Sequence, residues 1–405
     1  MFIKIRKLLL LIAAIYSLLL IIKYFINNKK IKLLNQIYFE LPILLKSNKI
    51  CPNYQNLLEN SLNSSFSASI INDKGEIIAS YNSDKLRIPA SNLKLFSTAY
   101  TLSKYNASDK LKTSLLKDNL NNFYLIGSGD PDLSLSDIKK LLDKTKFSKS
   151  FNFYILEINN KNKWPEGWTT QDRLYSYGSP ITSLAIKSNE NKYIDILFIN
   201  EFINNYFKNK YPLSSYKISK LEYNKNIVKN LKTVNQIYSN PILSLVTLAN
   251  AESHNFTAES LYKNSSNSWN TNNYLKLKKW LKVKGLPVRE IYINDASGLS
   301  RDNRITTNLT ALFLYKMRYS KQFKFYNSSL SLIGERGTLS NKKKNTELSG
   351  RFFGKTGTLS NVFALSGYLY KDNDMLSLSV IQNSRNIDTY KTFELIHNIY
   401  KLEKC

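Results

Sequence analysis

Lys355-Thr356-Gly357-Thr358 is the stretch on which the fold reading turns, because strand and turn signals surround it. Arg351-Phe352-Phe353-Gly354 leads into it. Behind it, Ala364 to Tyr370 reads as a strand, Lys371-Asp372-Asn373-Asp374 as a turn, and Met375 to Ile381 as the returning strand. Gly357 removes a side chain where another backbone must come close. A strand with a free edge can pair with an extended peptide. Lys-Thr-Gly ahead of a hairpin is therefore a place to look for ligand chemistry.

Two more short motifs precede it. Ser91-Asn92-Leu93-Lys94 follows strand-like Ala68 to Asn72, a turn at Asp73-Lys74-Gly75-Glu76, a strand at Ile77 to Tyr81, and Pro89. Leu93, Phe96, Ala99 and Tyr100 recur at helical spacing, which predicts a helix opening at Ser91. A helix start favours developing negative charge. Lys94, one turn on, lies on the same face and can reach the serine hydroxyl. A serine becomes a useful nucleophile only when a neighbouring base takes its proton. Ser253-His254-Asn255 ends the helix-like run Ile242 to Ala249 and puts a hydroxyl and an amide two residues apart. Alone, S-x-x-K arises by chance in a chain rich in Lys and Ser, and S-x-N reads as an ordinary polar loop. S-x-x-K, S-x-N and K-T-G in this order form a specific set.

With these residues in hand, the chain resembles the class C low-molecular-mass penicillin-binding proteins, the D-alanyl-D-alanine carboxypeptidase/endopeptidase family. The likeness runs from about Ser67 to Tyr400. Ile88-Pro89-Ala90-Ser91 is similar to the family's P-A-S lead-in, and Gly127-Ser128-Gly129-Asp130-Pro131 to its G-G-G-D-P segment. Trp164-Pro165-Glu166-Gly167-Trp168, Asp172 and Tyr177-Gly178-Ser179-Pro180 resemble its insert pattern. Asp295-Ala296-Ser297-Gly298-Leu299-Ser300-Arg301 resembles its D-G-S-G-L-S-R segment, and Gly334-Glu335-Arg336-Gly337-Thr338-Leu339 its G-x-D-G-T-L segment. Three departures stand out. Only 158 residues separate Lys94 from Ser253, so one of the family's extra domains is reduced or missing. Ala296 replaces the usual Gly, and His254 fills the variable middle of S-x-N.

The resemblance implies an α/β (α+β) transpeptidase/β-lactamase-like domain, an antiparallel sheet flanked by helices, built from residues 51–112 and 236–405. A smaller β-rich domain is inserted at 113–235. It implies Ser91 as nucleophile and Lys94 as its base, the amine depressed by burial and a neighbouring cation. Ser253 would relay the proton to the leaving group. Asn255 would hold the substrate amide, and Lys355 and Thr356 a terminal carboxylate beside Gly357. The N–H groups of Ser91 and Thr358 would form an oxyanion hole. Water then deacylates the enzyme. The expected partners are peptidoglycan stem peptides, with β-lactams as inhibitors; no cofactor or metal is expected. A β-lactamase shares Ser, Lys and K-T-G and is the alternative enzyme, separated by fast turnover of penicillin. A catalytically silent, membrane-anchored wall-binding protein is the alternative from another class.

The 405 residues carry 58 Lys and Arg against 30 Asp and Glu, a net charge of +28. Such a charge usually points to nucleic acid or a membrane surface. Here the lysines are spread along the chain and Asn and Ile are abundant too, so the charge reads as compositional bias and no nucleic-acid partner is expected. His254 and His397 are the only histidines, which leaves little for a Ser-His-Asp triad or a histidine metal site. His397 falls in a C-terminal helical pattern with Phe393, Ile396, Ile399 and Tyr400. The polar stretches Asn60 to Ser65 and Asn264 to Asn273 read as loops.

Lys4, Arg6 and Lys7 precede the apolar run Leu8 to Ile22. Extended through Lys23 to Ile26, it gives a helix of about 28 Å, close to a bilayer's hydrocarbon thickness. No small-x-small cleavage site follows, so residues 1–28 are read as a positive-inside membrane anchor in preference to a cleaved signal, and 29–50 as a stalk. Either reading exports the rest. Cys51 and Cys405 are the only cysteines. In the resembled fold the first and last helices lie side by side, so export allows these two to form a disulfide.

Overall fold

The structure is a computed structural model and describes residues 49–158, 163–190, 196–223, 225–269, 271, 273–372 and 374–403. The apolar run Leu8 to Ile22, most of the stalk and Cys405 lie outside the described residues. Among those described, no helix is long and apolar enough to cross a membrane.

In chain order the elements are α1 (Pro52–Ser61), β1 (Phe66–Ile71), β2 (Ile77–Tyr81), α2 (Lys94–Leu102), β3 (Lys110–Lys117), β4 (Phe123–Ile126), α3 (Leu135–Asp143) and β5 (Ser150–Glu157). Then come α4 (Ile196–Lys210), β6 (Ser215–Glu222), α5 (Lys225–Lys229), β7 (Lys232–Pro241), α6 (Ile242–Ala251), α7 (Asn255–Ser266) and α8 (Leu275–Val283). The last are α9 (Thr307–Met317), α10 (Phe323–Ser328), β8 (Ser331–Leu332), β9 (Phe352–Leu359), β10 (Val362–Lys371), β11 (Asp374–Asn383) and α11 (Thr389–Lys401). The expected hairpin is β10–β11, with one more residue or two at each end. Helices α1 and α7 run into the two stretches read as loops, to Ser61 and Ser266. Composition marked those stretches polar, but a polar helical turn at an element's end has the same composition.

The strands form two sheets. The first has six strands in the order β2-β1-β11-β10-β9-β8, every pair antiparallel. Its side chains alternate between two covered faces, as a pleated strand requires. Phe363, Leu365 and Leu369 of β10 meet Tyr54 and Leu58 of α1 and Phe393, Ile396 and Ile399 of α11 in one core. Ala364 and Tyr368 face the other way, into a core with Phe96 and Ala99 of α2 and Phe313 of α9. Helices α1 and α11 pack together on the first face. Cys51, buried just before α1, is not a free thiol.

The second sheet has the order β6-β5-β4-β3-β7 and is mixed: β3 pairs antiparallel with β4 and β7, while β4–β5 and β5–β6 are parallel. Parallel pairs need a crossover, supplied by α3 and α4. Ser134 and Asp137 form a capping box at the start of α3. Ile138, Leu141 and Leu142 of α3 and Ile199, Ile203 and Phe207 of α4 bury against Phe123, Phe151 and Phe153. Between β5 and α4, residues 163–190 run through short helical turns and leave this sheet for the first one.

Candidate active site

Ser91 lies in a single 3-10 turn, Ala90–Leu93, that passes directly into α2 at Lys94. The helix proper therefore starts one turn later than the spacing predicts, with Lys94 as its first residue. Ala90 has φ +47°, a left-handed conformation that is costly for a residue with a Cβ and is typical of positions held by their surroundings. Two glycines do the holding. Gly298, at φ +83°, lies so close that a Cβ there would sit 1.9 Å from the Ala90 carbonyl oxygen. A Cβ on Gly357 would sit 2.8 Å from the Pro89 oxygen and 3.0 Å from the Ser91 nitrogen. Asn92, buried behind the turn, donates from Nδ2 to Ser366 Oγ of β10 at 2.7 Å. The nucleophile turn is thus fixed to the first sheet and to the segment 295–303.

The Lys94 side chain is completely buried. Its Nζ donates to Ser91 Oγ at 3.0 Å, to Asn255 Oδ1 at 2.6 Å and to the Ser297 carbonyl at 2.7 Å. The last two partners can only accept. When Lys94 loses a proton, they keep its two remaining N–H bonds and the lone pair is left for the serine hydroxyl. Burial pulls the amine down to about 7, partly offset by the nearby carboxylates of Asp295 and Glu259. The like charge expected to act on Lys94 instead bears on Lys355. That second buried ammonium is lowered well below its ordinary value by burial first and by Lys94 next, with Glu252 opposing.

Lys355 to Thr358 lie on β9, whose neighbour β8 pairs only with Phe353 and Gly354. The Tyr370 nitrogen donates to the Arg351 oxygen, and the Ile333 nitrogen to the Phe352 oxygen on the other side. Alternation along an antiparallel ladder then turns the N–H and C=O of Thr356 and Thr358 away from β10, toward the unpaired edge. Lys355 Nζ donates to the Thr356 oxygen at 2.9 Å. Thr356 Oγ1 donates to Thr338 Oγ1 at 2.7 Å, which is 3.1 Å from Ser331 Oγ. Ser331 Oγ in turn donates to the Ala251 carbonyl at 3.0 Å, tying β9 to the end of α6.

Ser253 follows α6 at φ +64°, a second strained position at the site. Among the described residues its hydroxyl contacts none of the other motif side chains by a hydrogen bond. Asn255 Nδ2 donates to the Tyr177 carbonyl at 2.9 Å, leaving one N–H of that amide for a ligand. His254 is held at both ring nitrogens, by Thr257 Oγ1 at 2.7 Å and Glu190 Oε1 at 3.0 Å. His397 lies on α11, its Nε2 3.5 Å from Glu347 Oε2. Among the described residues no group of His, Cys, Asp and Glu is placed to hold a metal.

Beneath these residues is a polar layer that motif reading reached only in part. Asp295 accepts from Gly298 N at 2.8 Å, Ser300 N at 2.7 Å, Asn303 Nδ2 at 2.9 Å and Trp168 Nε1 at 3.0 Å. Glu259 of α7 accepts from the N–H groups of Ala296 and Ser297, both at 2.8 Å, and from the Tyr274 hydroxyl at 2.8 Å. Asp172 takes a bidentate pair from Arg301 at 2.6 and 3.2 Å. Asp295, Asp172 and Arg301 sit in quoted stretches. Glu259 had no motif to mark it; its one sequence signal is a carboxylate in an otherwise poorly charged helix, four residues after Asn255.

The family model for the D-Ala-D-Ala carboxypeptidase 3 (S13) family matches residues 55–197 and 199–403. A D-alanyl-D-alanine carboxypeptidase of Actinomadura sp. (strain R39) is 33% identical over 107 residues, 25% of this chain and 20% of that one, so the match spans a fifth of the relative's length. Penicillin binding protein 4 of Haemophilus influenzae superposes with a TM-score of 0.70 at 17% identity, covering 86% of this chain and 98% of that one. Bd3459, a predatory peptidoglycan endopeptidase of Bdellovibrio bacteriovorus, gives 0.55 at 15% identity over 82% and 90%. At such identities the two structures speak for the fold, and the family model for descent. The chain belongs to the D-Ala-D-Ala carboxypeptidase 3 (S13) family, within the class C low-molecular-mass penicillin-binding proteins.

Proposed function

We propose that the protein is a serine D-Ala-D-Ala carboxypeptidase, and on cross-linked stems an endopeptidase, acting on peptidoglycan stem peptides. The observation that carries this reading is the buried Lys94 amine 3.0 Å from Ser91 Oγ, with an ordinary value lowered to about 7. A base poised near neutrality is what activation of a serine needs. Ser91 Oγ attacks the carbonyl of the D-Ala-D-Ala bond as its proton passes to Lys94. The N–H groups of Ser91 and Thr358 receive the oxyanion. The leaving amine takes its proton through Ser253, free D-alanine departs, and water opens the acyl-enzyme. Lys355 and Thr356 take the terminal carboxylate, and Asn255 the substrate amide. A β-lactam enters by the same attack. The exported part is tethered by residues 1–28, with Cys51 and Cys405 paired.

A fluorescent penicillin applied to the purified full chain tests this. A long-lived adduct and release of D-alanine from a stem pentapeptide are expected, and both vanish in folded Ser91→Ala. Labelling that persists in that variant refutes the assignment. Rapid turnover of the penicillin would mark a β-lactamase instead.

A further inference from the structure

Glu259 takes no part in the chemistry just described, yet it is completely buried in the layer under Lys94. Its Oε1 accepts the N–H of Ala296 and of Ser297, and its Oε2 the Tyr274 hydroxyl, so every contact it makes is a donor aimed at an anion. The same Ser297 presents its carbonyl to Lys94 Nζ at 2.7 Å. Ala296, where the resembled family has Gly, is held twice: its N–H by Glu259 and its carbonyl by Ser97 Oγ at 2.6 Å. One residue therefore lies between a buried carboxylate and the amine that would activate the nucleophile. A carboxylate is a costly way to hold two N–H groups, since a neutral amide can hold them too.

We propose that Glu259 is a positioning residue of the acylation step: it orients the Ala296–Ser297 turn that grips Lys94, and its charge sets how readily that amine gives up its proton. This rests on the function proposed above. The groups facing Glu259 are Lys94 from α2, Asp295 from the turn, Tyr274 ahead of α8, and Tyr262 and Lys263 on its own helix. Lys355, on β9, is lowered by Lys94, and Glu252 opposes that effect. Burial, then the charge of Asp295, raises the Glu259 carboxyl to about 7, beside an amine lowered to about 7. The two exchange influence within one pH range. A negative Glu259 favours the ammonium, so neutralising it releases the amine's proton at lower pH.

The test is the pH dependence of the acylation rate with a fluorescent penicillin on the full chain. The wild-type rate should rise with pH through about 7. Glu259→Gln keeps an oxygen for both N–H groups and removes the charge; its rise should move down by about one pH unit or more, as a unit charge one residue away at an effective dielectric near 20 implies. Tyr274→Phe keeps the ring on Tyr262 and removes a donor that favours the anion; it should move the rise the same way by less. A folded Glu259→Gln protein that is slower at every pH, with no shift of the rise, shows a merely structural role and overturns the proposal, as does an upward shift. If Glu259→Gln does not fold, Tyr274→Phe decides by the same criterion. A wild-type chain that takes no penicillin at all overturns the function itself, an outcome the other results cannot mimic.

Discussion

The two sheets meet the same demand, burial of apolar strand faces, in different ways. Every residue of β1 is buried, as is nearly all of β10, because helices cover both faces of the first sheet. In the second sheet, α3 and α4 cover one face, and β6 has no fully buried residue. In the first sheet a main chain approaches the nucleophile turn closely enough to exclude a single methyl group. The second sheet reaches the site through a connection. From residues 163–190, Trp168 bonds Asp295, Tyr177 receives Asn255, Asp172 pairs with Arg301, and Glu190 meets His254. Chemistry sits where packing allows one arrangement, and residues 163–190 contribute by contact from outside the first sheet.

The sharpest way to break this contrast is Gly298→Ala. The new methyl must displace the Ala90 carbonyl, in a backbone conformation that L side chains rarely adopt. A shift of about 1 Å at a reacting group costs roughly 100-fold, so acylation of the folded variant should fall by at least that factor. A rate near wild type would mean the turn is not held as described. The counterpart is Phe153→Ala, which empties the middle of the second core, where Phe147 and Phe207 rest on its ring. It should cost about 3–5 kcal/mol in thermal or denaturant unfolding, while the protein that remains folded acylates at the wild-type rate. Acylation that falls with stability would show that the two regions do not divide the work. The smallest effect is expected at the proposed Cys51–Cys405 bond; Cys51 itself lies on the face of the first sheet away from Lys94. Its reduction should cost about 2–4 kcal/mol of stability and leave acylation unchanged. Two alkylatable thiols in the folded, unreduced chain would rule the bond out.

How legible each part was follows from the range of its causes. The hairpin β10–β11 and the helix that follows Ser91 could be read locally, because alternation, helical spacing, Pro and turn residues act over a few positions. Ser91, Lys94, Asn255 and the Lys355–Thr358 strand were visible because short motifs carry them. The 3-10 turn at Ser91 was not, since it is imposed by Gly298 and Gly357 from far along the chain. The parallel strand pairs of the second sheet could not be read either: β5 and β6 pair across intervening helices, and nothing local states direction. The sign of the charges around Lys94 was missed for the same reason. Lys355 was legible as a motif and Glu259 was not, so the cation was foreseen and the carboxylate overlooked.

One consequence of the short strand β8 extends beyond catalysis. Its pairing ends at Gly354, and from Lys355 onward no strand among the described residues pairs with that side of β9. The resting protein is a sheet lacking half of its last strand. An extended ligand that pairs there finishes the architecture, supplying ladder hydrogen bonds that the chain itself leaves unmade. Occupancy is then also a folding event, one that stabilises the native state by mass action. An exposed ladder of this kind invites other chains as well as substrate. Here it is only a few residues long, with buried Lys355 at one end, which limits what can join to something short.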